Sequence, residues 1–313
     1  MSETGPLDGG MNAPVLIYDR ISANKRQTWL MMFLFVAVLG GFVTLVGLAL
    51  GLPWQAAPLI IAGLGAYALG SYYVSASVAL AVSNAHEVTK EEEPEYYRIV
   101  ENLCIGSGLP MPKVYVIEDS APNAFATGRD PKHASVTATR GLLDKLDKSE
   151  LEGVIAHEMS HIGNYDIRIM TITVVLVGLI ALLADLFMRW TWFGSGSRRN
   201  NQERGGNIQL ILFAVAIVFA ILAPIAAQLI QLAISRRREY LADASGALLC
   251  RNPDALARAL EKITADPEPL EEANKATAHL YFANPLREHK SFLNNLFSTH
   301  PPVEERIRLL RAM

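Results

Sequence analysis

The sequence predicts an α+β, mainly helical protein: four transmembrane helices in two hairpins, plus a split soluble domain with a small β-sheet. Three observations lead to this class. Of the 313 residues, 51% are hydrophobic and the mean hydropathy is +0.22, unusual for a soluble globular chain. Four apolar runs reach spanning length, at Trp29–Leu50, Ala56–Val82, Ile169–Trp190 and Ile208–Ile234. The remaining polar sequence falls into two pieces, one between the hairpins and one after the second.

Each run passes a simple length test. About 20 helical residues at ~1.5 Å each cross a ~30 Å hydrocarbon core. The first run follows Lys25 and Arg26, is too long for a signal-peptide core, and has no small-residue cleavage site after it; it reads as a retained anchor. The second carries Ala62, Ala66 and Gly70 at four-residue spacing. That stripe admits a close helix neighbour, or reflects ordinary small-residue usage in membrane helices. Pro224 predicts a kink in the fourth run.

The chain thus divides into an N-terminal segment 1–28, a first hairpin 29–82, a first soluble part 83–168, a second hairpin 169–234 and a second soluble part 235–313. With four crossings, both soluble parts and the N-terminus share one side and can fold as one domain. Lys25 and Arg26 before the first run, with Arg236 to Arg238 after the fourth, place that side in the cytoplasm. The uncharged Gly51–Gln55 connection fits the opposite side. The Trp190–Asn207 loop pulls the other way through Arg198, Arg199 and Arg204.

Composition also excludes some partners. With 28 basic and 31 acidic residues the net charge is −3, which gives no reason to expect nucleic acid. Two cysteines, Cys104 and Cys250, make no disulfide framework and read as free thiols of a reducing compartment.

Within the first soluble part, Lys113–Glu118 predicts a short buried strand. Asn123–Thr127 and Ala134–Thr139 predict two more, on either side of a turn at Gly128–Pro131. A helix follows, with Ser149 and Glu152 expected as its capping box and Leu151, Val154, Ile155, Met159 and Ile162 as its buried stripe. In the second part, Arg236–Leu249 continues helical. Asn252-Pro253-Asp254 starts another helix ending near Pro267, and Pro301-Pro302 starts a last one through Arg311.

The chemistry lies at His157-Glu158-Met159-Ser160-His161. On a helix, positions i and i+4 share a face, so His157 and His161 present two imidazoles to one ion. Glu158 stands beside them, placed to take a proton from a water on the metal and later deliver it to a leaving amine. Incidental histidines on a solvated helix face are the alternative. The interleaved Ile155, Ala156 and Met159 argue against it, because burying two histidines and a glutamate is costly without a ligand.

A catalytic zinc takes three protein ligands and leaves one position open. Asp166, Glu239, Asp243, His279, His289 and His300 are the candidates for the third. Glu239 and Asp243 form a second helical i, i+4 pair. Glu239 can bind the metal while Asp243 accepts the other ring N–H of a histidine ligand. Alternatively, both pair at the surface with Arg236 to Arg238. Asp166 either orients a ligand or caps the next span.

A membrane hairpin, His157-Glu-Met-Ser-His161, a second hairpin, Arg238-Glu-Tyr-Leu-Ala-Asp243 and Ser298-Thr-His-Pro-Pro302 follow one another in that order. From about residue 15 to 313 this resembles the HtpX family of membrane-bound zinc metalloproteases, relatives of the CAAX prenyl endoproteases. The resemblance implies a split zincin-like catalytic domain holding one Zn2+ per chain. His157, His161 and Glu239 would be its ligands, Glu158 the general base, and Asp243 and Asp166 the groups behind the ligands. It implies a multi-pass protein of the bacterial inner membrane whose cytoplasm-facing site cleaves membrane proteins in envelope quality control and stress response. Other membrane proteases are the expected partners.

The resemblance also implies that Asn123, Ala124, Phe125 and Ala126 form a strand along which substrate docks as an added strand. An ordinary sheet strand is the alternative. His300 and Arg306 match a family His and Arg near the zinc, where a donor can stabilise an oxyanion. Otherwise they are a helix-start histidine and a surface arginine paired with Glu304 or Glu305. Met1–Asn12 lies outside the resemblance and is expected to be disordered.

Because Ile169 follows His161 so closely, the site must lie near the bilayer surface, which favours membrane-associated chains as substrates. Two other functions fit parts of the sequence: CAAX-type processing, against which four spans argue, and a non-catalytic membrane scaffold or chaperone, against which the complete set of hydrolytic residues argues.

Overall fold

The computed structural model describes residues 17–49, 51, 53–196, 236–271, 273, 277–283, 285 and 301–313. Met1–Asn12, the fourth apolar run, the arginines of the 190–207 loop, His289 and His300 lie outside them.

Two long helices open the chain, α1 (Ile17–Ala49) and α2 (Ala56–Val82). α1 begins well before the apolar run because Asn24 and Thr28 are buried on the same face as Met31 and Phe35. Both helices are long and apolar enough to cross a membrane, over Ile21–Thr44 and Ala56–Val82. The third expected span lies in α6 (Asp166–Gly196), a helix that continues beyond the predicted end of the run at Trp190. It qualifies only together with the preceding helix, from which it bends by 84°.

The soluble part begins with β1 (His86–Glu87) and α3 (Pro94–Ser107), neither of which the residue pattern singled out. Next come β2 (Lys113–Ile117), β3 (Ala124–Gly128) and β4 (Ala134–Thr139), then α4 (Arg140–Lys145) and α5 (Lys148–Gly163). The three longer strands fall where alternation and β-formers placed them, within a residue or so. The sheet order is β1-β2-β4-β3. β2 runs parallel to β4, whereas β1 and β3 are antiparallel to their neighbours. β3 is therefore an edge strand, with Ala124 opposite Ala138 and Ala126 opposite Val136.

The capping box of α5 is Asp147 with Glu150, rather than Ser149 with Glu152. The Asp147 carboxylate accepts from the N–H groups of Ser149 and Glu150, and Glu150 accepts from the N–H of Asp147. Both registers satisfy the cap pattern. Glu150 decides between them, because it is buried and Lys262 donates to it at 2.6 Å. That bond ties the start of α5 to α8 (Pro253–Ala265), whose own cap is the Asn252 side chain.

Leu151, Val154, Ile155, Met159 and Ile162 are buried as expected, but α5 is enclosed on every side from Leu151 onward apart from half-buried Glu152 and Gly163. β3 and β4 cover one flank, α8 another, and α7 (Arg236–Cys250) lies along a third. α9 (Val303–Leu310) closes the domain against α7 and α8. The approach of α7 to α5 requires a glycine. A Cβ on Gly246 would stand 2.8 Å from the backbone nitrogen of His157.

Gly246→Val should force α7 away from α5. Overpacking of this kind costs about 1–3 kcal/mol. The expected result is a lower apparent Tm of the detergent-purified protein, with its helical circular dichroism preserved.

Candidate metal centre

Three helices bring the polar groups together at the middle of the molecule. α5 supplies His157, Glu158 and His161; the start of α6 supplies Asp166; the start of α7 supplies Arg238, Glu239 and Asp243. All seven are buried. The bend between α5 and α6 passes through Tyr165, whose φ of +61° lets the chain turn sharply. That turn carries Asp166 back beside His161, five residues earlier.

His157 Nδ1 lies 2.9 Å from Asp243 Oδ1, and His161 Nδ1 lies 3.1 Å from Asp166 Oδ2. An ionised carboxylate only accepts, so each Nδ1 carries the proton and each Nε2 a free lone pair. The two Nε2 atoms are 3.1 Å apart, with Glu239 oxygens 3.6 Å from His161 Nε2 and 4.0 Å from His157 Nε2. Three metal-donor atoms thus converge, the two Nε2 and an oxygen of Glu239. Donors at ~2.0–2.1 Å from a tetrahedral zinc stand about 3.4 Å apart. His157, His161 and Glu239 form the one metal-competent group among the described residues.

Charge leads to the same place. Glu158, Glu239, Asp166 and Asp243 are buried carboxylates, and the buried cations among them are Arg238 and Arg306. One divalent ion would balance the excess. Burial opposes a charge on His161, yet the Asp166 hydrogen bond and the charges of Glu239, Asp166 and Glu158 outweigh it and raise its pKa to about 9. Burial lowers His157 to about 4 in spite of Asp243. The carboxylates around His161 thus favour a positive charge where the donor atoms converge, the charge a metal cation would supply.

Glu158 lies next to this group without joining it. Burial raises its pKa to about 7, the Glu239 charge adds to that, and His161, Arg306 and the backbone N–H of Ala126 oppose it. The Ala126 bond links the carboxylate to the outer edge of β3. Near neutrality Glu158 can both take up and release a proton.

The sequence-predicted residues separate as follows. His157, His161, Glu239 and Glu158 converge, with Asp243 and Asp166 behind the two rings. Glu239 and Asp243 do not pair with arginines at the surface. Asp166 lies against the His161 ring and is also the first residue of α6. His279 is buried, but its Nε2 faces the Met170 carbonyl at 2.9 Å and it is not among the three residues that could share an ion. Arg306 is buried and grips Asp243 with two bonds of 2.8 and 2.7 Å. The surface pairing with Glu305 belongs to Arg308 instead.

Residue-level reasoning missed three participants. Asn24 of α1 donates to Asp166 at 2.7 Å and to the Asn164 carbonyl at 2.9 Å, pinning the α5–α6 bend. Its signal was available, since Asn24 and Thr28 form a polar i, i+4 pair in line with Met31. Arg238, read as a topology charge or a surface partner of Glu239 and Asp243, is buried instead, with Nε 3.9 Å from Asp166 Oδ1. Phe282 meets the His157 ring edge-on at 4.9 Å between centroids, and no pattern in the sequence marked it.

A profile described as Peptidase family M48 matches residues 90–313, and the chain belongs to that family. Its relatives named Protease HtpX homolog include one from Tropheryma whipplei strain TW08/27, 47% identical over 298 residues, covering 95% of this chain and 99% of the relative. Those from Lactobacillus helveticus (44%, 95% and 100%) and Dictyoglomus thermophilum (46%, 96% and 96%) are comparable. A likeness to the crystal structure of S. mikatae Ste24p has a TM-score of 0.48 at 19% identity, covering 93% of this chain and 66% of that one. Family and relatives together identify a membrane metalloprotease, of the HtpX kind.

Asp166→Asn keeps the size of the side chain but gives the His161 ring a weaker partner. Metal affinity should fall about 10–100-fold, as it does when outer partners of ligands are changed; competition with a chromogenic chelator measures it. Arg306→Met leaves Asp243 buried without its cation, a loss of about 3–5 kcal/mol. Chemical denaturation should show a lower midpoint.

Proposed function

We propose that the chain is a zinc endopeptidase that hydrolyses peptide bonds of membrane and membrane-associated proteins. The observation carrying this reading is the convergence of three lone-pair donors beside a glutamate with a pKa raised to about 7. His157, His161 and Glu239 would hold the ion. When bound, zinc would supply a Lewis acid that polarises the scissile carbonyl and acidifies water.

The protein's own groups do the rest. Glu158 accepts the proton of the attacking water and returns it to the leaving nitrogen. The Ala126 N–H holds its carboxylate at the β3 edge, where an extended substrate would lie. Asp243 and Asp166 hold the two rings in one tautomer, and Arg306 and Asn24 hold those carboxylates in turn. With two bonds committed to Asp243, Arg306 acts first as a positioning residue; its Nη1, 4.0 Å from Glu239, is the part that could face an oxyanion. His300, outside the described residues, is the other proposed oxyanion donor.

The setting supports membrane substrates. The metal cluster is joined directly to α6 through Asp166 and to α1 through Asn24, so it lies at the base of the apolar helices. The basic residues Lys25, Arg26 and Arg236 to Arg238 support a cytoplasm-facing site in a bacterial inner membrane. Unfolded loops and termini of membrane proteins would be the substrates, in a quality-control role with other membrane proteases as partners.

Glu158→Gln should retain metal and fold while losing about 10²–10⁴ of the proteolytic rate, the usual contribution of a general base. Metal content by mass spectrometry and cleavage of an unfolded membrane protein, measured on the same preparation, check this. Equal cleavage by parent and variant would sink the mechanism.

A further inference from the structure

Every group of the centre is buried: His157, Glu158, His161 and Glu239 expose 1–3% of their surface. A polypeptide cannot reach the site unless something moves. The segment after the short helical turn Ala278–Leu280 lies directly over it. Leu280, Tyr281 and Phe282 run along the outer edge of β3, on the side away from β4.

Their bonds imitate those of an added strand. The Phe282 N–H donates to the Ala124 carbonyl at 2.8 Å. The Asn123 amide serves Ala283 in both directions, donating to its carbonyl at 3.0 Å and accepting from its N–H at 3.2 Å. Arg306 Nη1 donates to the Phe282 carbonyl at 3.4 Å. The Phe282 ring packs between the His157 ring and the Arg306 guanidinium, at 4.9 Å from each. A backbone read by Asn123, Ala124 and Arg306, with a side chain lodged against a metal-ligating ring, is the geometry an extended substrate would need.

We propose that Tyr281–Ala283 is a resident pseudosubstrate. It occupies the place on β3 that a cleavable chain takes, and Phe282 fills the pocket that receives a large apolar side chain of the substrate. The inference rests on the peptidase reading above and adds to it a substrate class, extended segments carrying an aromatic or bulky apolar residue beside the scissile bond. It also explains how a fully enclosed centre is kept from cleaving at random. Only a chain able to displace the strap reaches the metal, as exposed apolar segments of unfolded membrane proteins can. If the strap is docked in nine molecules of ten, apparent affinity is reduced about tenfold.

The test uses the full chain in detergent, with an unfolded casein as substrate and fragment ends mapped by mass spectrometry. Phe282→Ala should lower KM about tenfold, and cuts in both proteins should cluster at Phe, Tyr, Leu and Met. A synthetic peptide of the sequence Ala-His-Leu-Tyr-Phe-Ala-Asn should compete with casein against the variant. Hydrogen exchange on Glu158→Gln gives a readout independent of turnover and of the variant's folding: saturating casein should deprotect residues 278–283. A raised KM, cuts without side-chain preference, or increased protection of the strap would overturn the proposal, making the segment a fixed wall. Absence of cleavage by the metal-loaded parent would instead overturn the peptidase reading.

Discussion

A buried excess of negative charge is the constraint on which the rest of the structure depends. Four carboxylates lie together out of water at the junction of α5, α6 and α7, and among the described residues Arg238 and Arg306 are the buried arginines that oppose them. Charges in such surroundings are costly unless paired or bound to a metal. Each surrounding feature answers that demand. Arg306 is buried in α9 to hold Asp243, Asn24 reaches from α1 to hold Asp166, and the glycine at 246 brings Glu239 and Asp243 within reach of the two rings. The remaining deficit suits the group of His157, His161 and Glu239 to holding a cation.

That dependence explains how the domain tolerates being divided by apolar sequence. Asp166 is the first residue of α6, and Arg238, Glu239 and Asp243 lie in the opening turns of α7. The two ends of the intervening segment therefore both terminate in the ion cluster. Electrostatic closure, reinforced by the packing of α7 on α5, joins what the chain separates. The same arrangement ties the chemistry to the apolar helices, because the residue orienting His161 also begins the helix that carries the third apolar run.

How far this was legible in the sequence depends on the distance over which each feature is decided. His157 and His161 are fixed by helical spacing alone, and Glu158 by adjacency, so their convergence could be read directly. β2, β3 and β4 were legible for the same reason, as local alternation between turn signals. Glu239 needed a partner some eighty positions away; spacing offered several third ligands, and only the resemblance to a family selected one. The α5 cap was placed two residues late because Ser149 and Glu152 satisfy the local rule as well as Asp147 and Glu150 do. The choice is made by Lys262, which local reasoning cannot see. Beside Glu304 and Glu305, Arg306 fitted a surface arginine locally, and the family resemblance alone spoke for a place in the site; its burial follows from Asp243.

The β3 edge shows why a site can be correctly located and still incompletely understood. Read as sequence, Asn123 to Ala126 offers a strand whose outer groups await a substrate. In the folded chain they are already engaged: Ala124 by Phe282, Ala126 by Glu158, and Gly128 by the Thr171 hydroxyl at 3.1 Å. An unpaired edge would invite any extended chain, including another copy of the same protein. Occupying it internally removes that hazard and, with Tyr281–Ala283 acting as the proposed pseudosubstrate, would tie access to the site to the exchange of one strand for another. Such an exchange would favour chains that bring both free backbone and a large apolar side chain. Those are properties of a membrane segment that has lost its fold, and a well-folded neighbour in the bilayer presents neither.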